Sequence, residues 1–368
     1  MKIAVAVLAA LAHIALAKEP WDDYKHIKAP LFADIVTFAH LEHHQCLTDK
    51  HQRFDIAING LPMDTSVSYR TGARFGPSGI RQGSRRQDPA NAWSHYWEAN
   101  PYTKGIKLVD CGDVPVIAVD NALAYKSIEA AHDTLLNRPT ASKHLKHPML
   151  FSFGGDHSVE LPILRSLKKV RLAVHGPISL IQIDSHIDTW SSAKKYGFSE
   201  DEAPVSHGNM LYHGFREGLF TQQSIQAGIR TRFTDEQDIL DNERFGIEMI
   251  TIEAIDEIGA KGIAERIKER VGDTKAYLTF DIDSIDPAFA GATGTPEPGG
   301  LTTREAKAIL RNLKGINLVG ADIVEVSPPY DTASELTQMV AADIAYEILH
   351  LLTSSPLMQR GVDGHDEL

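Results

Sequence analysis

Residues 178–188 read Ile178-Ser179-Leu180-Ile181-Gln182-Ile183-Asp184-Ser185-His186-Ile187-Asp188. The first six residues form a mostly apolar run, which is typical of a buried strand. Alternate side chains of an extended backbone point to the same side, so Asp184, His186 and Asp188 are predicted to converge on one point. Buried carboxylates are costly unless a cation compensates them. This stretch therefore predicts metal binding at the end of a strand.

Two further segments place ligand-type residues after apolar runs. His157 follows residues 149–153, and Asp281 and Asp283 follow residues 276–280. Ligands bind at the carboxyl ends of the strands in open α/β sheets. The three segments together supply six predicted metal ligands, which are His157, Asp184, His186, Asp188, Asp281 and Asp283.

This ligand set is rich in carboxylates and contains no thiolate. Such a set favours Mn²⁺ over structural zinc and leaves other divalent ions open. Six ligands exceed the need of one ion and suit two ions about 3.5–4 Å apart, as in many hydrolytic sites. The alternative, in which each Asp only caps a helix or a turn, fits any one cluster better than all three. Asp156 and Asp286 are expected to hold turns in this way.

Apolar runs alternate with helical patterns along the chain, which predicts an α/β fold with a mostly parallel central sheet between two layers of helices. Strands are predicted at residues 54–58, 114–119, 149–153, 178–183, 248–252, 276–280 and 318–326. Helices are predicted at about 126–137, 160–170, 255–271 and 303–313. Thr302 with Glu305, and Thr332 with Glu335, have the spacing of capping boxes, and the second would open a final helix reaching Leu352.

Several motifs resemble the ureohydrolase superfamily, on its agmatinase-like branch, and the resemblance spans roughly residues 54–352. They are Gly60-Leu61-Pro62-Met63-Asp64, Arg74-Phe75-Gly76-Pro77-Ser78-Gly79-Ile80-Arg81, Gly154-Gly155-Asp156-His157-Ser158, Asp184-Ser185-His186-Ile187-Asp188, Ser206-His207-Gly208-Asn209-Met210, Phe280-Asp281-Ile282-Asp283-Ser284-Ile285-Asp286-Pro287, Gly294-Thr295-Pro296-Glu297-Pro298-Gly299-Gly300-Leu301 and Asp322-Ile323-Val324-Glu325-Val326-Ser327-Pro328-Pro329.

The resemblance implies an arginase-like fold and a hydrolase that uses two Mn²⁺ ions per subunit to split a guanidinium compound into urea and an amine. The family pattern assigns His157, Asp184, Asp188 and Asp281 to one ion, and Asp184, His186, Asp281 and Asp283 to the other. It further implies that Asp188 orients the attacking hydroxide, that His207 shuttles protons and that Glu325 holds the guanidinium group. A surface role for His207 and an ordinary strand-end role for Glu325 are the alternatives.

Agmatine, yielding putrescine and urea, is the expected substrate, and 4-guanidinobutanoate is the close second. Arginine is less favoured, because Thr189 and Trp190 follow Asp188 where arginases usually carry an asparagine-containing segment. Ser185 and Trp190 also depart from the commonest agmatinase pattern, which leaves recognition of the substrate's tail open. Two functions of other classes remain as alternatives. They are a metal-dependent amide or acetyl-polyamine hydrolase, and a non-catalytic relative that binds polyamines.

The net charge of −12 argues against nucleic-acid binding and would attract a small cationic substrate. By analogy with the family, a homo-oligomer is expected, either a trimer or a hexamer. Cys46 and Cys111 are the only cysteines and can form one disulfide in an oxidising compartment, although their spacing does not decide it.

Both ends of the sequence carry targeting patterns. Residues 1–17 have a basic start, an apolar core too short for a convincing membrane span and the Ala15-Leu16-Ala17 cleavage pattern of a signal peptide. Residues 365–368, His-Asp-Glu-Leu, match the endoplasmic-reticulum retrieval signal, which implies a retrieval receptor as partner. We therefore expect the endoplasmic-reticulum lumen, with secretion as the alternative. The expected organisation is a signal peptide (1–17), an N-terminal segment (18–53), a catalytic domain (54–353) and a tail (354–368).

Overall fold

The computed structural model describes residues 20–27, 29–103, 105–172, 178–191, 197–199 and 203–359. The chain divides into two compact units, residues 1–35 and 36–368. In the shorter unit, the described residues contain one 3-10 turn, Pro20–Asp23. The segments predicted as signal peptide and retrieval signal lie outside the described residues.

The larger unit is built on one sheet of eight strands, all parallel, in the order β2-β1-β3-β8-β7-β4-β5-β6. The strands are β1 Ile56–Leu61, β2 Leu108–Asp113, β3 Met149–Gly154, β4 Ile178–Ile183, β5 Ser224–Ile229, β6 Ile247–Thr251, β7 Lys275–Asp281 and β8 Leu318–Val324. The helices among the described residues are α1 Gly76–Gly83, α2 Asn121–Leu136, α3 Glu160–Leu172, α4 Met210–Arg216, α5 Gln237–Arg244, α6 Ala254–Glu257, α7 Gly259–Val271, α8 Pro287–Ala290, α9 Thr303–Asn312, α10 Leu336–Ser354 and α11 Pro356–Gln359.

Both faces of the sheet are apolar, and each is covered by helices. In β7, Leu278 and Phe280 belong to one buried cluster, whereas Tyr277 belongs to another. The first cluster includes side chains of α7, α9 and α10, and the second includes side chains of α2, α3 and α4. This alternation is the pattern of a strand buried on both faces. The predicted three-layer α/β fold is confirmed.

One strand was predicted at the wrong place and another was missed, because buried polar residues interrupt their apolar pattern. The strand expected at residues 114–119 lies instead at β2, where Asp110 is fully buried and accepts hydrogen bonds from Arg81 Nε and Nη2 at 2.8 and 2.9 Å. Strand β5 was not predicted at all. Its Gln226 is buried and donates to Gln182 Oε1 at 2.7 Å. Pairing inside the sheet makes these polar side chains compatible with burial.

Of the two predicted capping boxes, one is confirmed and one is wrong. Thr302 and Glu305 bond reciprocally at the start of α9. Glu335 instead has a left-handed backbone, with φ 55°, just before α10 begins at Leu336. Asp331 caps this helix, because its carboxylate accepts from the backbone N–H groups of Thr337 and Gln338 at 3.2 and 3.0 Å. The helix expected at 255–271 is also divided, since α6 ends at Glu257 and Gly259, the first residue of α7, has φ 68°.

None of the helices in the described part of the chain is both long enough and apolar enough to span a bilayer. The two cysteines form a disulfide, with 5.4 Å between the Cα atoms of Cys46 and Cys111. Cys111 lies in β2, so the bond ties the segment before β1 to the edge strand of the sheet.

Candidate metal centre and active-site cavity

The predicted site residues follow four strands that are neighbours at the middle of the sheet, β3, β8, β7 and β4. His157 follows β3, the residues from Asp184 to Asp188 follow β4, Asp281 ends β7 and Glu325 follows β8. All four strands run parallel, so their carboxyl ends lie at one edge of the sheet. The structure brings together all six residues predicted as metal ligands.

His157 lies at the centre of the first cluster. Its Nδ1 atom is 3.0 Å from Asp184 Oδ2, 2.9 Å from Asp188 Oδ2 and 3.3 Å from Asp281 Oδ2. Despite these short distances, Nδ1 is buried and makes no hydrogen bond of acceptable geometry among the described residues. An imidazole nitrogen facing three carboxylate oxygens without an aligned hydrogen bond is the arrangement expected of ligands around a cation.

The second cluster shares Asp184 with the first. His186 Nδ1 lies 3.1 Å from Asp283 Oδ2 and 3.6 Å from Asp184 Oδ1. Ligand atoms of His157, Asp184 and Asp281 lie close enough to hold one ion, and those of Asp184, His186 and Asp283 could hold another. The residues therefore fit a two-ion centre in which Asp184 contributes to both ions.

The residues after β4 converge through a bend, which corrects the expectation of an extended backbone. The strand ends at Ile183, and the backbone N–H of His186 donates to Asp184 Oδ1 at 2.7 Å, so the chain turns at once. Asp188 has φ 52°. Glu325, after β8, has φ 61°. Left-handed conformations are unfavourable for such residues and persist where the surrounding structure enforces them.

The acids of the cluster repel one another. Burial and the neighbouring charge of Asp184 raise the pKa of Asp188 to about 6. Burial, Asp283 and Asp184 raise the pKa of Asp281 well above its usual range. Burial disfavours protonated His157, but the three surrounding carboxylates outweigh it and hold its pKa well above the usual value. The cluster thus retains protons that a divalent cation would displace.

His207 and Glu325 form a pair beside the cluster. His207 Nδ1 lies 2.9 Å from Glu325 Oε1, and the backbone N–H of Ser68 donates to His207 Nε2 at 2.9 Å. A neutral His207 therefore carries its proton on Nδ1. Burial opposes protonation, yet Glu325 raises the pKa of His207 to about 8. Glu325 Oε2 is buried and has no hydrogen-bond partner among the described residues.

A cavity of about 590 Å³ opens onto this site. Its wall includes His157, His186, Asp188, Asp281 and His207. Asp184, Asp283 and Glu325 are not among the residues that line it. The rest of the wall carries aromatic and charged side chains that sequence reasoning did not assign, Tyr69, Arg70, Arg232, Phe233 and Glu297, together with Trp190.

Several supporting residues were also missed. Ser68 donates a hydrogen bond to His207, although 139 positions separate the two residues in the chain. Thr279 Oγ1 lies 2.8 Å from His157 Nε2, although 122 positions separate them. Only the position of Thr279 two residues before Asp281 could have indicated its role, since alternate strand residues share a face. The expectation for Asp156 and Asp286 is confirmed, because Asp156 accepts from the backbone N–H of Ser158 and Asp286 accepts from that of Ala288.

Comparison with known proteins agrees with this geometry. Residues 54–351 match the model of the Arginase family. The chain is 46% identical over 337 residues to a Schizosaccharomyces pombe protein named "Putative agmatinase 1", covering 89% of this chain and 84% of that protein. It is 37% identical over 301 residues to the agmatinase of Salmonella paratyphi B, covering 81% of this chain and 87% of that protein. The solved structure of proclavaminate amidino hydrolase from Streptomyces clavuligerus superposes with a TM-score of 0.76 at 33% identity, over 88% of this chain and 98% of that one.

The parallel sheet and the carboxylate–histidine clusters at its carboxyl edge define a hydrolase of the ureohydrolase type. The chain belongs to the arginase family, on its agmatinase-like branch.

Proposed function

We propose that the protein hydrolyses a guanidinium compound to urea and an amine at a dinuclear manganese centre. The observation that carries this proposal is the pair of ligand clusters sharing Asp184, with His157 Nδ1 buried among three carboxylates and making no hydrogen bond among the described residues. The ligand set favours manganese, because carboxylate and imidazole ligands without a thiolate suit Mn²⁺.

His157, Asp184, Asp188 and Asp281 would hold one ion, and Asp184, His186, Asp281 and Asp283 the other. Bound divalent ions supply Lewis acidity and make water acidic enough to attack near neutral pH. Asp188 faces the cavity and can orient the attacking water through a carboxylate oxygen. Binding of the substrate and transfer of a proton to the leaving amine are assigned to side chains of the protein.

Glu325 is proposed to hold the guanidinium group. Its Oε1 atom accepts from the backbone N–H of His157 at 2.9 Å and contacts His207, whereas Oε2 is buried without a partner among the described residues. A planar guanidinium cation donates several hydrogen bonds and would satisfy this oxygen. A metal-dependent amide hydrolase would have no guanidinium group to place there.

His207 is proposed to protonate the departing amine. It lines the cavity, and Glu325 raises its pKa to about 8. A group with a pKa near the working pH can both hold and release a proton during turnover. In the protonated ring, Nδ1–H donates to Glu325 and Nε2–H can donate to the Ser68 hydroxyl, 2.7 Å away, which orients the imidazole.

Agmatine is the first substrate candidate. It is supported by the relatives named agmatinase at 46% and 37% identity and by the acidic net charge of −12, which attracts a dication. A specific observation favours 4-guanidinobutanoate as the second. Arg70 and Arg232 both line the cavity, while Glu297, the acidic wall residue outside the ligand set, lies 3.7 Å from His186 Nε2. The carboxylate tail of this substrate could pair with Arg70 or Arg232 at the cavity wall.

Urea release tests the proposal directly. Mn²⁺-loaded protein should release urea from agmatine or 4-guanidinobutanoate faster than from arginine. Absence of urea from every guanidinium compound would remove the proposal. Release of acetate from acetylated polyamines would replace it with the amide-hydrolase alternative.

We further propose that the protein works in the endoplasmic-reticulum lumen as a homo-oligomer. The Cys46–Cys111 disulfide supports an oxidising compartment, together with the targeting patterns at both ends of the sequence. A reporter carrying residues 1–17 should enter the secretory route, and a cytosolic reporter would contradict this location. Light scattering of the purified protein would test the oligomer, and a monomer would contradict it.

A further inference from the structure

Glu160 is a buried acid that the proposed chemistry does not use. It is fully buried, and neither of its carboxyl oxygens has a hydrogen-bond partner of acceptable geometry among the described residues. An unsatisfied carboxyl group in a protein interior costs folding free energy. Its presence therefore calls for a compensating role.

Glu160 lies directly behind His157. The turn His157–Val159 leads into α3, whose first residue is Glu160. Residues three apart on a helical turn share a face, and Glu160 Oε2 lies 3.4 Å from His157 Nε2. The carboxyl group thus faces the ring nitrogen opposite the one that faces Asp184, Asp188 and Asp281.

A hydroxyl group accepts a hydrogen bond from the same nitrogen. Thr279 Oγ1 lies 2.8 Å from His157 Nε2 and donates its own proton to Asp322 Oδ1 at 2.6 Å. Because the hydroxyl proton is committed to Asp322, the Thr279 oxygen can only accept from Nε2. Asp322 is held in turn by the hydroxyl of Tyr277, which donates to its other oxygen at 2.8 Å.

Thr279 Oγ1 therefore accepts from Nε2, and the Glu160 carboxyl group lies 3.4 Å from the same nitrogen, which places the imidazole proton on Nε2 and leaves the Nδ1 lone pair directed at the cluster. Hydrogen bonds of this kind fix the tautomer of a metal-binding histidine and raise its basicity.

We propose that Glu160 is a positioning residue, whose carboxyl group, 3.4 Å from His157 Nε2, favours the proton on that nitrogen and so holds Nδ1 ready to bind a divalent cation. This inference rests on the metal centre of the proposed function. It assigns to Glu160 a contribution to metal affinity and none to the stability of the metal-free protein.

The test uses Glu160→Leu, which removes both acceptor oxygens, and Glu160→Gln, which keeps one. Mn²⁺ affinity of the chelator-stripped protein is measured by competition with a fluorescent chelator. Thermal unfolding is measured in EDTA. The matched control is Glu347→Leu at another fully buried acid, which accepts hydrogen bonds from Arg311 and Trp97 and belongs to neither ligand cluster.

Glu160→Leu is expected to weaken Mn²⁺ binding by roughly 10–100-fold, while the unfolding temperature of the metal-free protein stays the same or rises, since an unsatisfied buried group has been removed. Glu160→Gln should bind Mn²⁺ more tightly than Glu160→Leu. Glu347→Leu should show the opposite pattern, with lower stability and unchanged affinity per folded molecule.

Unchanged Mn²⁺ affinity in a folded Glu160→Leu protein would overturn the proposal. So would failure of Glu160→Leu to fold, or a loss of stability without a loss of affinity, because either would show that Glu160 serves the fold. If the wild-type protein binds no Mn²⁺, the metal centre itself is overturned. If wild type and Glu160→Leu bind Mn²⁺ equally well, only the role of Glu160 is overturned.

Discussion

His207 Nδ1 lies 2.9 Å from Glu325 Oε1, although 118 positions separate the two residues in the chain. One oxygen of Glu325 thus contacts the imidazole, and the other, Oε2, has no partner among the described residues and is the proposed acceptor for a guanidinium donor. The proposed proton shuttle and the proposed substrate anchor are therefore coupled through one carboxylate. A change to this carboxylate should affect catalysis without affecting metal binding.

Glu325→Gln should lower kcat/KM for a guanidinium substrate by roughly 100-fold, the value of a hydrogen bond between charged partners. Metal content should stay at the wild-type value, because Glu325 belongs to neither ligand cluster. Steady-state urea kinetics with metal analysis on the same samples provides the measurement. Exposed Glu257→Gln is the control, and equal kinetics in the two variants would contradict the anchoring role.

His207 should make folding stability depend on pH. Its pKa in the folded protein, about 8, lies above the ordinary value of 6.5, so the protonated form stabilises the folded state. The contribution, about 2 kcal/mol, is fully present below the unfolded pKa and is lost as the pH rises through the folded pKa. Urea denaturation of metal-free wild type and His207→Asn should show a stability difference that shrinks by about this amount between about pH 6 and about pH 9. A difference that does not vary with pH would contradict the assigned pKa.

Removing Asp184 should be more damaging than removing Asp283, because both clusters contain Asp184 and only one contains Asp283. Asp184→Asn is expected to abolish binding of both ions, whereas Asp283→Asn should abolish binding of one and leave the His157 cluster. Metal analysis after dialysis gives the ions bound per subunit. Asp286→Asn, which alters a turn rather than a ligand, is the control. Equal loss in Asp184→Asn and Asp283→Asn would remove the case for a shared ligand.

Arg232 should bias the site toward a substrate with an anionic tail. Arg232→Glu reverses a charge on the cavity wall and should shift the ratio of kcat/KM for agmatine over 4-guanidinobutanoate upward by roughly tenfold, the size of a screened charge interaction. Arg304→Glu, on the exposed start of α9, carries the same charge change away from the cavity. If both variants shift the ratio alike, the effect comes from net charge and not from Arg232.

The layers of the fold and the six clustered residues could be predicted from the sequence because both follow from local patterns. Asp184 and Asp281 each stand directly after an apolar run, and parallel strands end at one edge. Strands β2 and β5 were missed because Asp110 and Gln226 are satisfied only by partners distant in sequence, Arg81 and Gln182. Helices α1, α4, α5, α8 and α11 were also missed.

The supporting contacts of the site could not be read from the sequence for the same physical reason. The contact between Ser68 and His207 forms because the sheet positions two separate loops side by side. The contact between Glu160 and His157 depends on where α3 begins. The wall residues Arg70 and Arg232 likewise become neighbours of one cavity through the fold. Short-range patterns therefore located the reacting centre, whereas tail recognition depended on tertiary structure.

The proposal of a dinuclear hydrolase is tested most directly by measuring urea release while chelator-stripped protein is titrated with Mn²⁺. We expect no urea without metal and activity that rises until two ions are bound per subunit, on a substrate carrying a guanidinium group. Full activity in the metal-free protein, or no urea at any metal loading, would contradict a dinuclear ureohydrolase.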